Sequence, residues 1–122
     1  LGLGLLEFSS RPAVLRTHPV SQEQPCTLRR QLVVPADGKT VLALDVAPDT
    51  QGDWQLVIKA NGKILHDSIV NAASLKKGWK HVEADLTPFA GKPILLELEN
   101  KANNWEWEFG YWGKVELKHR TK

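Results

Sequence analysis

The sequence has only one cysteine, Cys26, among its 122 residues. An intrachain disulfide is therefore excluded, and so is a structural zinc site built on several thiolates. No apolar run approaches the roughly 20 residues that a transmembrane helix needs, so we expect no contact with a membrane. The apolar opening, residues 1–8, lacks the basic flank and the small-residue cleavage site of a signal peptide.

Methionine is absent, and neither sign of charge dominates. The lack of even an initiator methionine leads us to expect a module of a larger protein, with other domains of that protein as neighbours. Sixteen basic residues nearly balance fourteen acidic ones, which argues against a nucleic-acid partner. The basic residues near the C-terminus are interpreted as a solvated tail. We expect an extracellular or periplasmic location.

Helical periodicity is also missing, and the pattern from Leu28 onward is that of β-strands. About eight short alternating segments are separated by turn residues, which predicts an all-β sandwich or barrel of antiparallel strands. The strongest local signal is Asn61-Gly62, because this pair suits the positive φ angles of a two-residue type I′ turn. It predicts a hairpin of strands 53–60 and 63–70.

The first 27 residues are less regular than the rest. Leu3, Leu5 and Leu6 predict a first strand that leads to Phe8. The stretch 11–25 contains three prolines and many polar residues, so we interpret it as an extended crossing segment. The chain is accordingly divided into an N-terminal extended segment, residues 1–27, and a sandwich, residues 28–122, within a single domain.

Aromatic side chains are concentrated in residues 105–113, which predict a strand from Trp105 to Trp112. On a regular strand, Trp105 and Trp107 share one face with Phe109 and Tyr111. Two interpretations remain open: the row packs in the core, or its start forms a platform on which sugar rings stack. The second interpretation predicts six ligand-binding residues, which are Trp105, Trp107, Glu106, Glu108, Asn103 and Asn104. For Trp54 and Trp79 we predict core packing.

Catalytic and metal-binding patterns are weak. Glu106 and Glu108 could serve as the carboxylate pair of a glycosidase, but alternating glutamates also occur at Glu97 and Glu99, as on many exposed strand faces. The sequence contains no nucleophile elbow, phosphate-binding loop or His-Glu-x-x-His motif, so we predict no enzymatic activity. No cofactor is predicted, although oxygen ligands around an acidic loop would suit a structural calcium ion. The residues concerned are Asp45, Asp49 and Asp53, with Glu7 and an acidic residue of the last strand as another pair.

Two stretches resemble the galactose-binding-like jelly-roll domains. The first is GWKHVEADLTPFAGKPILLELEN, residues 78–100, in which Asp85-Leu86 ends a strand and a turn at 88–91 precedes an alternating strand. The second is FGYWGKVEL, residues 109–117, which is similar to the closing strand of these domains. Such modules are appended to bacterial glycoside-processing enzymes and occur in large planctomycete-type proteins.

The resemblance implies a jelly-roll β-sandwich whose loops at one end bind ligand. It favours a non-catalytic module that binds or targets a carbohydrate or polysaccharide. The alternative is a structural or protein-interaction domain with no sugar ligand, in which Trp105 and Trp107 are buried or contact a neighbouring domain. The fold hosts many functions, so it does not choose between the two.

Overall fold

The computed structural model describes residues 4–8, 11–75, 78–103 and 108–121, and gives side chains for most of them. The strands in this part of the chain are β1 Gly4–Phe8, β2 Arg11–Thr17, β3 Cys26–Val33, β4 Lys39–Pro48, β5 Trp54–Ala60, β6 Lys63–Val70, β7 Lys80–Asp85, β8 Pro93–Lys101 and β9 Gly110–Arg120. Two 3₁₀ turns, Ala72–Ser74 and Thr87–Phe89, flank β7. None of the helices described is long and apolar enough to cross a membrane.

The strands form two antiparallel sheets. One has the order β1-β2-β9-β4-β7 and the other the order β3-β8-β5-β6. The sheets pack face to face through the alternating apolar side chains of their inner faces, as in other β-sandwiches. The predicted all-β jelly-roll fold is confirmed, with nine strands described where about eight were predicted.

The main core lies between the two sheets. In β4 the buried side chains Leu42, Leu44 and Val46 point inward, as alternation requires. Trp54 from the opposite sheet is fully buried and lies 5.1 Å, between ring centroids, from Trp112 of β9. Core packing of Trp54 is therefore confirmed.

A second, smaller apolar cluster lies on the other face of the five-stranded sheet. It consists of Ala47, Trp79 and Tyr111, with the half-buried Phe109 packed against them. Tyr111 and Trp112 are adjacent in β9, so their side chains point to opposite faces. Trp79 is only 5% exposed, but it packs in this cluster and not between the sheets.

The predicted hairpin is confirmed. β5 and β6 pair antiparallel and are joined by Asn61 and Gly62, whose φ angles are 51° and 81°. Asn61 also bonds to the neighbouring strand β8: its backbone N–H donates to the carbonyl of Leu95, and its Oδ1 accepts from the Leu95 N–H at 2.8 Å. The turn therefore fixes three strands, where the sequence indicated two.

The turn that carries the jelly-roll signature also forms as predicted. Asp85 Oδ1 accepts the backbone N–H of Thr87, and Leu86 is fully buried. Gly91 has a φ of +78°, where a side chain would be strained, and its N–H donates to the carbonyl of Val34. These contacts end β7 and lead the chain into β8, in which buried and less buried side chains alternate and Ile94 is buried.

Two expectations differ from the structure. Residues 11–17 form strand β2 and not an extended crossing segment, because Pro12 lies at an irregularity between β1 and β2 where a missing N–H costs no ladder bond. The last strand begins at Gly110, so Glu108 and Phe109 precede it. It continues to Arg120 through a bulge between Trp112 and Lys114.

Candidate functional site

Three connections meet at one end of the sandwich. Gly110 of β9 pairs with Thr17 at the end of β2 and with Pro48 at the end of β4. The β2–β3, β4–β5 and β8–β9 connections therefore lie near each other, as residues 18–25, 49–53 and 102–109. The last of these, which we call the binding loop, contains the predicted aromatic platform. The resemblance implies a ligand site at the loops of one end of the sandwich, and this end is the candidate because it carries the predicted site residues.

A buried hydrogen-bond network lies beneath the binding loop. Thr17 Oγ1 accepts from the indole N–H of Trp112 at 2.9 Å and from Nδ2 of Asn100 at 3.0 Å. The same amide nitrogen donates to the carbonyl oxygen of Glu108 at 3.2 Å. Thr17 and Asn100 are both fully buried. Buried groups in such a network are costly to disturb, so it holds both ends of the binding loop to β2, β8 and β9.

Glu108 closes the binding loop from below. Its carboxylate is fully buried, and Oε1 accepts the backbone N–H of Asn103. A buried carboxylate is tolerated only when hydrogen bonds compensate for lost hydration, so this contact fixes the loop. The geometry therefore gives Glu108 an anchoring role, and a direct contact with a ligand stays a prediction. A catalytic role would need a carboxylate that solvent and substrate can reach.

Asn103 lies on the rim of the loop and is exposed. Its Nδ2 donates to Oδ2 of Asp53 at 3.0 Å, which joins the binding loop to the β4–β5 connection. The structure thus brings together two predicted site residues, Asn103 and Glu108, and adds Asp53 to them. The remaining predicted site residues, Asn104, Trp105, Glu106 and Trp107, lie outside the residues that the structure describes.

Aromatic and cationic side chains support the loop from the opposite flank. His18 and Phe109 make an edge-to-face contact with centroids 4.9 Å apart, and the Arg16 guanidinium lies 5.1 Å from the Phe109 ring centre. The Tyr111 hydroxyl donates to Asp49 Oδ2 at 3.4 Å, and burial raises the pKa of Tyr111. Phe109 and Tyr111, the part of the aromatic row described, therefore pack in the smaller apolar cluster, and both interpretations of Trp105 and Trp107 stay predictions.

The three aspartates of the calcium prediction have different surroundings. Asp45 is part of β4, and its Oδ1 pairs with Nδ1 of His81 at 2.8 Å. Asp49 and Asp53 flank the β4–β5 connection, where Asp49 Oδ1 accepts the Gln51 N–H and Oδ2 accepts the Tyr111 hydroxyl. Within the described ranges no group of three histidine, cysteine or acidic side chains is arranged to hold a metal ion. Calcium binding stays a prediction.

Sequence reasoning missed several residues that shape the site. Thr17 and Asn100 are isolated polar residues at strand ends, and only the meeting of three strands makes them partners. Gly110 is needed because a Cβ there would lie 2.8 Å from Asn100 Nδ2 and 2.9 Å from Trp54 Cε2. A glycine inside an aromatic segment was a usable hint of such close packing.

Comparison with known proteins shows likeness in structure only. No protein-family model matches this sequence, and no curated protein matches it in sequence. The C-terminal domain of EclA, a sugar-binding protein, superposes with a TM-score of 0.65 at 13% identity, over 95% of this chain and 83% of that one. A family 35 carbohydrate binding module from Clostridium thermocellum superposes with a TM-score of 0.59 at 12% identity, over 98% of this chain and 90% of that one.

The same fold also occurs in an enzyme. A cyclase from Fischerella sp. TAU superposes with a TM-score of 0.57 at 16% identity, over 85% of this chain and 61% of that one. At such low identities the likeness establishes the fold alone. The chain therefore has a jelly-roll β-sandwich fold like that of these solved structures.

Proposed function

We propose that this chain is a non-catalytic carbohydrate-binding module, and that it binds its ligand at the binding loop. We further propose that it serves a larger extracellular or periplasmic protein by holding it to a polysaccharide. The fold supports this proposal only in general terms, because the same fold carries other functions.

The observation that carries the proposal is the anchoring of the binding loop. Glu108 and Asn100 hold its base through buried hydrogen bonds, while Asn103 stays exposed on its rim. Because these bonds hold Asn103 and Glu108 in place, less of the binding energy is spent on ordering these two residues when a ligand binds. A loop anchored in advance suits a ligand that binds weakly through many hydroxyl groups, because little binding energy is then available for ordering the protein.

The chemistry of the loop suits a sugar. Asn103 and Asp53 supply amide and carboxylate groups that can exchange hydrogen bonds with hydroxyls. Trp105 is two residues from Asn103 and Trp107 is next to Glu108, so chain connectivity keeps both Cα atoms within about 7 Å of an anchored residue. Flat indole faces pack against the apolar faces of sugar rings. We expect micromolar to millimolar affinity, about 4–8 kcal/mol.

Affinity gel electrophoresis against plant, algal and bacterial polysaccharides tests the proposal. We expect retention by at least one polysaccharide, and loss of that retention in the double variant Trp105→Ala/Trp107→Ala. Asn103→Ala should weaken retention because it removes one rim group, whereas Gln31→Ala, an exposed change on β3 outside the three connections, should leave it unchanged. Far-UV circular dichroism and thermal unfolding confirm that the variants are folded. Retention by no polysaccharide, or full retention by the double variant, contradicts the proposal.

A second candidate function, a contact surface for another protein domain, is favoured by exposed apolar residues on the four-stranded sheet. Val33 is 67% exposed and Ile64 is 54% exposed. These residues lie on the two edge strands of that sheet, β3 and β6, so each edge offers one exposed aliphatic side chain to a neighbouring domain. Under this alternative, Val33→Ser/Ile64→Ser abolishes the contact with an adjacent domain, and the polysaccharides above are not retained.

A further inference from the structure

A groove opens along one side of the sandwich, between β3 and the second half of β9. Its volume is about 330 Å³. Aliphatic side chains from both sheets line it, chiefly Leu28, Leu32, Leu96, Leu98, Val115 and Leu117. We call it the side groove. It involves none of the residues that anchor the binding loop.

The side groove exposes residues whose register points to the core. Val115 pairs with Leu44 and Leu117 pairs with Leu42, and both of these leucines are buried between the sheets. Val115 is nevertheless 49% exposed and Leu117 is 40% exposed. Directly paired residues point to the same face of a sheet, so an apolar strip that belongs to the core meets water here.

The cause is the way in which β2 leaves β9. The pairing between these strands runs from Thr17–Gly110 to Leu15–Trp112. From Lys114 onward, the ladder partners of β9 in the described part of the chain belong to β4 alone. The sheet therefore has a gap beside Val115 and Leu117, and the side groove opens there.

One positively charged side chain, Arg30, lies among the leucines on the β3 side of the groove. Arg30 sits between Leu28 and Leu32 in the core-facing register of β3, opposite Leu96 of β8. The other two charged residues of the lining are paired: Arg29 with Glu97 at 2.8 Å, and Glu116 with Lys114 at 3.7 Å. Arg30 has no ion-pair partner among the residues described. A guanidinium beside an aliphatic surface matches an anion that carries an aliphatic chain.

We propose that the side groove binds an aliphatic carboxylate, whose chain packs on the leucines and whose head group pairs with Arg30. The volume lies at the lower end of small-molecule sites, which suits a short or medium chain. Glu116 does not oppose this, because Lys114 and Lys118, at 3.7 and 3.9 Å, balance its charge. The inference does not depend on the proposed carbohydrate binding.

An NMR titration tests the proposal by following the leucine and valine methyl signals. Octanoate is compared with 1-octanol, which has the same chain and no charge, at pH 7.5 and below aggregating concentrations. We expect saturable shifts at the methyls of Val115 and Leu117, with octanoate bound about 10 to 100 times more tightly than octanol.

Two arginine variants give a matched comparison. Arg30→Gln should lower the octanoate affinity to that of octanol, because it removes the groove cation. Arg120→Gln makes the same chemical change at the exposed end of β9, outside the lining of the side groove, and should alter the affinity less than twofold. The proposal is wrong if neither compound shifts these methyls, if both bind equally well, or if the two variants weaken octanoate binding to the same extent.

Discussion

The carboxylate of Glu108 is fully buried where the binding loop meets β9, and it accepts the backbone N–H of Asn103. A glutamine at this position keeps the size of the side chain but offers a weaker, uncharged acceptor. We expect Glu108→Gln to lower the free energy of unfolding by about 1–3 kcal/mol, measured by urea denaturation. The same change at the exposed Glu23 should cost less than about 0.5 kcal/mol. Equal effects would show that Glu108 does not anchor the loop.

A second prediction at the scale of one residue concerns the stability of a variant at Gly110. A Cβ atom there would lie 2.8 Å from Asn100 Nδ2 and 2.9 Å from Trp54 Cε2, and both side chains are fully buried. Neither can move away without breaking the packing under the loop, so Gly110→Ala should cost about 1–3 kcal/mol. Thermal or urea unfolding measures this cost. A stability equal to that of the unmodified protein would mean that the packing there is loose.

Single residues of the site were only partly predictable. Asn103 was identified from its position beside the aromatic segment, and the structure places it on the rim. Glu108 was assigned to a strand face by alternation, but the strand begins at Gly110, so alternation did not apply to it. Thr17 and Asn100 are 83 residues apart in the chain, and no local pattern reveals a bond between them.

The β4–β7 pair of strands carries a titrating group on its outer face. His81 Nε2 bonds to Glu83 and Nδ1 bonds to Asp45, each at 2.8 Å. The bonds to Glu83 and Asp45 raise the pKa of His81, and the bond to His81 lowers the pKa of Glu83. The protonated histidine is therefore the form that the folded state favours.

The sign of the pH effect follows from these directions. The stability that the His81 contacts add is fully present below about pH 6.5, the pKa of histidine in the unfolded chain. It is lost as the pH rises through the higher pKa of the folded state. The stability that Glu83 adds is present above about pH 4.3, the pKa of glutamate in the unfolded chain. It is lost as the pH falls through the lower pKa of the folded state. The urea midpoint should thus fall as the pH rises above about 6.5, and His81→Gln should flatten that fall. An unchanged pH profile in the variant would contradict this account.

Whether a strand or turn could be predicted depended on how local its signal is. The Asn61-Gly62 hairpin and the turn ending at Gly91 were predicted because their backbone angles demand those residues. Strand β2 was missed because three prolines and many polar residues in 11–25 indicated a crossing segment, and only the pairing with β1 shows that Pro12 lies at an irregularity that tolerates a proline. The bounds of the predicted strand from Trp105 to Trp112 were wrong, because Glu108 and Phe109 precede β9 and a bulge beside Gly113 lets β9 continue to Arg120.

In the molecule as a whole, the hydrophobic core and the proposed binding site lie in different parts. Trp54 and the alternating aliphatic residues hold the two sheets together, while the binding loop and its network lie at one end. The alternation of the sequence determines this arrangement, so the sandwich could be predicted. The ligand could not be predicted, because the same sandwich scaffold can carry loops of any chemistry.

Iodide quenching of tryptophan fluorescence tests the proposed binding most directly. The chain has five tryptophans, and Trp54, Trp79 and Trp112 are at most 5% exposed, so quenchable emission must come from Trp105 or Trp107. We expect clear quenching of the free protein and protection from iodide when a retained polysaccharide is added. Absence of quenchable emission, or quenching that the polysaccharide does not change, would contradict a carbohydrate site at the binding loop.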